Sequence, residues 1–97
     1  MTTLPEVRNR LVALLAHLLK WEHQPDKQTG SWRATIRLQR RELGLLLESG
    51  TLKNHARAVL ADAYSAARKE AADETEMKLS KFPKQCAWDV DELLVDD

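Results

Sequence analysis

The first part of the chain carries hydrophobic residues at helical spacing. Those that follow one another at intervals of three or four are Leu4, Val7, Leu11, Leu14, Leu18 and Trp21. This spacing predicts a helix with the packing seam of a bundle. A capping box of Thr3 and Glu6 predicts that the helix starts at Thr3, and Pro25 predicts its end. Additional leucines widen the apolar face, so we expect this helix to be buried on more than one side.

A second helix is predicted from about Trp32 to Glu48, with Ser31 as its N-cap and Gly50 as the glycine that follows its end. At about 100° per residue, it has an apolar face, a basic stripe and a smaller apolar strip. The stripe consists of Arg33, Arg37, Arg40 and Arg41. The strip beyond the arginines consists of Ala34, Leu38 and Leu45.

A third helix is predicted from Thr51 to about Met77, with mostly small apolar residues. The following segment has no helical period, and we expect it to run extended and to pack its aromatic residues over the bundle. Asp89 and Glu92 then predict a capped, short terminal helix. The predicted fold is a single all-α domain of residues 1–97. It is a small bundle of three long helices with an extended aromatic C-terminal segment and a short terminal helix.

The polar loop between the first two helices is flanked by Trp21 and Trp32. We expect the two indole rings to face each other across this loop. They would then pin the first two helices into an antiparallel hairpin.

Charge is balanced overall but not along the chain. Residues 1–57 hold ten Lys and Arg against five Asp and Glu, and residues 58–97 hold five against ten. The favoured interpretation is that the halves attract each other, within the fold or between copies, because overall neutrality does little to favour polyanion binding. For the arginine stripe three partners stay open: the acidic half of the chain, another protein, or phosphates.

No catalytic or metal-binding pattern stands out. His17 and His23 are six residues apart, which is not the spacing of a helical metal pair. Cys86 could act as a nucleophile only beside a basic partner, and we expect a small, partly buried residue instead. We therefore expect no enzymatic activity, no metal and no cofactor. The apolar run Leu11–Leu19 is shorter than the roughly 20 residues that a membrane span needs, and a cytoplasmic location is expected.

Several short segments resemble one bacterial family, the domain-of-unknown-function 29 family. They are HLLKW at 17–21, QP at 24–25, SWRATI at 31–36, QR at 39–40, FP at 82–83 and the C-x-W of 86–88. The resemblance runs from about Leu11 to Leu94 and implies an all-α fold with no established activity, cofactor or catalytic residue. Family members usually have a further helical segment ahead of the first helix, so this chain resembles a short form.

The motif positions and the basic stripe together define a candidate interaction surface. Its residues are His17, Lys20, Trp21, Gln24, Trp32, Arg33, Arg37, Gln39, Arg40 and Arg41. The leading hypothesis is a non-enzymatic protein-interaction module that uses the apolar face of the first helix and the arginine stripe of the second. It would form a homodimer through the first helix, or bind a protein partner. The alternative is a nucleic-acid-binding protein that uses Arg33, Arg37, Arg40 and Arg41.

Overall fold

The computed structural model describes residues 4–95. These residues fold into four α-helices, which are α1 (Leu4–His23), α2 (Gly30–Leu46), α3 (Gly50–Thr75) and α4 (Val90–Leu93). Single 3-10 turns occur at Pro25–Lys27 and Leu79–Lys81. No strand occurs among residues 4–95. The predicted all-α bundle with three long helices and a short terminal helix is confirmed; the proposed cap Thr3 lies outside the described residues.

Helix α1 lies between α2 and α3, which make few contacts with each other. Its apolar face is almost entirely buried by the chain itself, at Val7, Leu11, Leu14, Leu15, Ala16, Leu18 and Leu19. The expectation that this face stays open for a second chain is therefore wrong. The physical reason lies in the small side chains of α3, since fully buried alanines let its backbone approach α1 closely. These alanines are Ala56, Ala63, Ala67 and Ala71.

The start of α2 lies two residues before the predicted position. Thr29, rather than Ser31, is the N-cap, and its hydroxyl accepts a hydrogen bond from the Trp32 amide at 3.2 Å. Thr29 has the extended backbone that an N-cap requires, which lets Gly30 begin the helix.

The junction between α2 and α3 also lies earlier in the chain than predicted, at residues 47–49 instead of 49–50. The Ser49 hydroxyl accepts a hydrogen bond from the Leu52 amide at 3.3 Å, so Ser49 caps α3. Gly50 is consequently the first residue of α3 and has a negative φ, and its predicted role after α2 is wrong. Helix α2 ends at Leu46, two residues before the predicted Glu48.

The segment after α3 has little regular structure and is anchored to α3 by hydrogen bonds from α3 side chains to its backbone carbonyls. The Tyr64 hydroxyl donates to the carbonyl of Pro83 at 2.6 Å, and Arg68 donates to the carbonyls of Leu79 and Phe82. Phe82 is buried, and its ring meets the His23 ring edge-on at 4.9 Å. The segment thus covers one end of α1, as the sequence predicts.

Candidate interaction surface

The arginine stripe lies on the solvent side of α2, away from acidic α3. Arg33, Arg37 and Arg41 are exposed, and Arg40 is half-buried. Arg40 Nε donates to the backbone carbonyl of Leu93 at 3.0 Å, and Arg41 lies 3.6 Å from the carboxylate of its neighbour Glu42. Within residues 4–95, Arg37 has neither a hydrogen bond nor an ion pair. The acidic half of the chain therefore leaves most of the stripe uncovered.

The acidic half instead pairs with basic residues of α1 and α3. Arg8 contacts Asp62 at 2.8 Å, and Lys53 contacts Asp91 at 2.6 Å. The attraction between the two halves of the chain is thus satisfied within the fold, at places other than the stripe.

The two tryptophans beside the first loop do not stack on each other. Among the described residues the one ring-to-ring contact joins His23 and Phe82. The Lys20 ammonium lies 5.3 Å from the centre of the Trp32 ring, and the Arg33 guanidinium lies 5.8 Å from the centre of the Trp21 ring. Each indole thus receives a cation from the residue next to the other indole. The helices are pinned at the predicted place by cation–π contacts instead of stacking.

Lys20 is the one charged side chain buried among residues 4–95, at 4% exposure. Its ammonium donates a 2.6 Å hydrogen bond to the Glu74 carboxylate of α3. This hydrogen bond holds the pKa of Glu74 below its ordinary value. One turn back on α3, burial and the negative charge of Glu74 raise the pKa of Glu70. Lys20 therefore ties α1 to both α2 and α3.

Three other predicted surface residues make contacts within the protein. His17 Nδ1 donates to the carbonyl of Ala13 at 2.8 Å. Gln24 donates through its side-chain amide to the Met77 sulfur at 2.8 Å. Gln39 accepts a hydrogen bond from Arg10 at 3.2 Å. These side chains stabilise the bundle, so the predicted surface divides into a structural part and an exposed part.

The exposed residues Arg33 and Arg37 border a groove of about 350 Å³ between α1, α2 and the C-terminal segment. Its lining residues are Leu18, Trp21, Glu22, Arg33, Ile36, Arg37, Arg40 and Trp88. Sequence reasoning did not assign Trp88 or Glu22 to any surface with the arginines. The C-x-W motif drew attention to Trp88, but its position beside α2 depends on the path of an irregular segment.

The apolar strip of α2 is exposed next to the arginines. Leu38 is 43% and Leu45 is 58% exposed. At about 100° per residue, both lie within the same solvent-facing half of the helix as Arg37 and Arg41. Large apolar and cationic side chains thus alternate along this face.

The other groups considered for chemistry have structural surroundings. Burial raises the pKa of Cys86, and its thiol donates to the carbonyl of Trp88 at 3.2 Å. No group of three or more His, Cys, Asp or Glu side chains in residues 4–95 is placed to hold a metal ion. None of the helices in this range is long and apolar enough to cross a bilayer.

The fold and surface define a small all-α bundle domain with a basic, partly apolar helix face. The family model described as Domain of unknown function DUF29 matches residues 2–97. The chain therefore belongs to that family, as the motifs predict. Comparison with curated proteins and with solved structures gave no match.

Proposed function

We propose that this chain is a non-enzymatic protein-interaction module that binds an acidic amphipathic helix of another protein through the exposed face of α2. The observation that carries this proposal is the exposure of Leu38 and Leu45 beside Arg37 and Arg41. Phosphates would meet the cations, but they would leave the two leucines in water. A partner helix satisfies both, with apolar residues on the leucines and carboxylates on the arginines.

The positive charge of the α2 face favours an acidic partner over a second copy of this chain. A second copy docked through the same face would bring two arginine stripes together, and like charges repel. Self-association through α1 has lost its basis because that helix is covered within the chain. The absence of enzymatic activity is part of the proposal, and the raised pKa of Cys86 supports it because a thiol, unlike a thiolate, is a poor nucleophile. The cytoplasmic location stays a prediction.

The test uses two fluorescently labelled helical peptides of about 20 residues with leucine at the seam positions. One carries glutamate beside the seam and the other carries lysine. We expect saturable binding of the glutamate peptide, measured by fluorescence anisotropy, and weaker binding as salt rises. The lysine peptide is expected not to bind.

Variants locate the binding face. Leu38→Ser and Arg41→Glu are each expected to weaken binding of the glutamate peptide by about tenfold or more, as for central interface residues. Leu79→Ser is the matched control, because Leu79 is similarly exposed, at 38%, but lies after α3. An equal effect of Leu79→Ser would overturn the assignment of the face.

Two further outcomes would assign a different partner to this face of α2. A labelled 20-base-pair DNA duplex that competes with the glutamate peptide, with affinity falling steeply as salt rises, would favour the nucleic-acid alternative through Arg33, Arg37, Arg40 and Arg41. A dimer in light scattering that Leu38→Ser dissociates would make a second copy the occupant of the face.

A further inference from the structure

The groove beside α2 combines two features found in small-ligand sites. Its volume of about 350 Å³ falls at the lower end of such sites, which span roughly 300–1,000 Å³. Its walls contain the indoles of Trp21 and Trp88 together with the apolar side chains of Leu18 and Ile36. The groove is therefore large enough for one ring and lined by groups that would pack against it.

The same groove holds an excess of positive charge. Arg33, Arg37 and Arg40 line it, and Glu22 is the one carboxylate among its lining residues. Gathering three guanidinium groups around one concavity is unfavourable unless an anion offsets their repulsion. Glu22 can offset one guanidinium group, which leaves the groove with a net charge of +2.

The guanidinium groups differ in how firmly they are held. Arg40 is fixed through Nε by the Leu93 carbonyl, and its terminal nitrogens have no partner within residues 4–95. Arg33 lies over the Trp21 ring. Arg37 has no hydrogen bond or ion pair in the same range. Two of the three cations are thus positioned in advance, and the third is available to close on a ligand.

We propose that this groove binds a small molecule in which a flat ring carries an oxyanion, either a carboxylate or a phosphate. The ring packs against Trp88, because Arg33 already occupies the Trp21 ring. The oxyanion accepts hydrogen bonds from Arg37 and Arg40, whose forked donors match both anions. This site is distinct from the proposed helix-binding face, and the two share Arg37.

The test titrates the protein with four probes and follows tryptophan fluorescence and the heat of binding. Phenyl phosphate and benzoate each combine a ring with an anion, and the tighter of the two identifies the oxyanion. Benzyl alcohol has the ring without the charge, and inorganic phosphate has the charge without a ring. We expect saturable binding of at least one combined probe, about tenfold or more tighter than either single-feature probe. Equal affinities for all four, or no saturation, would overturn the proposal.

Two arginines on the same helix provide a matched pair of variants. Arg37→Gln is expected to weaken the combined probe about tenfold or more, as for loss of a charge-assisted hydrogen bond. Arg41→Gln makes the same charge change outside the groove and is expected to change the affinity less than twofold. Equal losses in both variants would show a general electrostatic effect and overturn the site. Circular dichroism confirms that both variants are folded.

One variant in the groove and one on the helix-binding face separate this site from the proposed function. Trp88→Leu is expected to weaken the combined probe and to leave the glutamate peptide unaffected. Leu38→Ser is expected to do the reverse. Peptide binding without probe binding would overturn this inference alone, and probe binding without peptide binding would overturn the proposed function alone.

Discussion

At the scale of single residues, Lys20 is the least expected feature of the core. A buried ammonium loses hydration, and this loss is costly unless hydrogen bonds and opposite charge replace the water. Glu74 provides a charge-assisted hydrogen bond, and the Trp32 ring provides a second electrostatic contact. The bundle therefore depends on a carboxylate that is itself partly exposed, at 46%.

Glu74→Gln is expected to lower the free energy of unfolding by about 1–2 kcal/mol at pH 7, less than for a fully buried pair because water reaches Glu74. The loss arises because Lys20 keeps its charge without a carboxylate partner. Lys20→Met removes the charge and keeps a similar stem, so Glu74→Gln should cost almost nothing in that background. Urea denaturation of the four proteins in this cycle measures the coupling.

Glu74 and Glu70 make the stability of the protein depend on pH in opposite directions, because their pKa values shift in opposite directions. The pKa of Glu74 is lowered in the folded protein, so its stabilisation is present above the ordinary value of 4.5 and is lost as pH falls through the folded pKa. Glu70 has a raised pKa, so it destabilises as pH rises above 4.5 through its folded pKa. Glu70→Gln should therefore stabilise the protein at pH 7 by about 0.2–0.5 kcal/mol and have no effect at pH 3. A destabilised Glu70→Gln at pH 7 would contradict this assignment.

How far the sequence predicts a contact depends on the separation of its partners along the chain. The capping box of Asp89 and Glu92 is predicted correctly, because the two residues lie within one turn and the motif is local. Lys20 and Glu74 are 54 residues apart, and no local pattern marks them as a pair. The cation–π contacts at Trp21 and Trp32 were missed because the sequence indicates which residues are adjacent, but not which face of each ring is covered.

At the scale of elements, the end of α3 holds a strained residue. Glu76 has a φ of 56°, in the left-handed region that glycine adopts without steric cost. The amides of Glu76 and Met77 donate to the carbonyls of Asp73 and Ala72, which is the hydrogen-bond pattern of a Schellman motif. This left-handed residue ends the helix and turns the chain toward the segment that covers α1.

Glu76→Gly is expected to raise the free energy of unfolding by about 1 kcal/mol, because glycine adopts this conformation without the clash of a Cβ atom. Glu76→Ala removes the same carboxylate but keeps the Cβ atom, so it should give little of this gain. Thermal and urea denaturation compare the two variants. Equal stabilisation by alanine would assign the effect to charge instead of backbone strain.

The errors at helix ends have a common cause. Thr29 and Ser31 are both good N-caps two residues apart, and propensity alone does not choose between them. Gly50 is compatible with the end of α2 or with the first turn of α3. It begins α3 because the side chain of Ser49 caps that helix. Helix existence follows from long periodic patterns, whereas helix ends depend on single hydrogen bonds.

At the scale of the whole molecule, the order of packing places α1 at the centre and leaves α2 with an open face. The wide apolar face of α1 is predicted correctly from the sequence. The apolar area that α3 buries on α1 is underestimated, because small side chains suggest a small buried area per turn. The groove depends on a further long-range feature. Tyr64 and Arg68 fix the path of the C-terminal segment through backbone carbonyls, and that path carries Trp88 to the groove.

Because α1 is buried within one chain, we expect the stability of the protein not to depend on its concentration. Leu11→Ala is expected to lower the free energy of unfolding by about 3 kcal/mol, because Leu11 is fully buried and its truncation leaves a cavity. Leu45→Ala is the matched control on the exposed face of α2 and should cost less than about 0.5 kcal/mol. If α1 packs only within its own chain, the urea midpoints of the unsubstituted protein and of Leu11→Ala are each the same at every protein concentration. Urea denaturation at about 1 and 100 μM tests this, because the stability of an obligate dimer rises with concentration. Midpoints that rise with concentration would return α1 to an interface between chains and remove the reason for assigning the partner to α2.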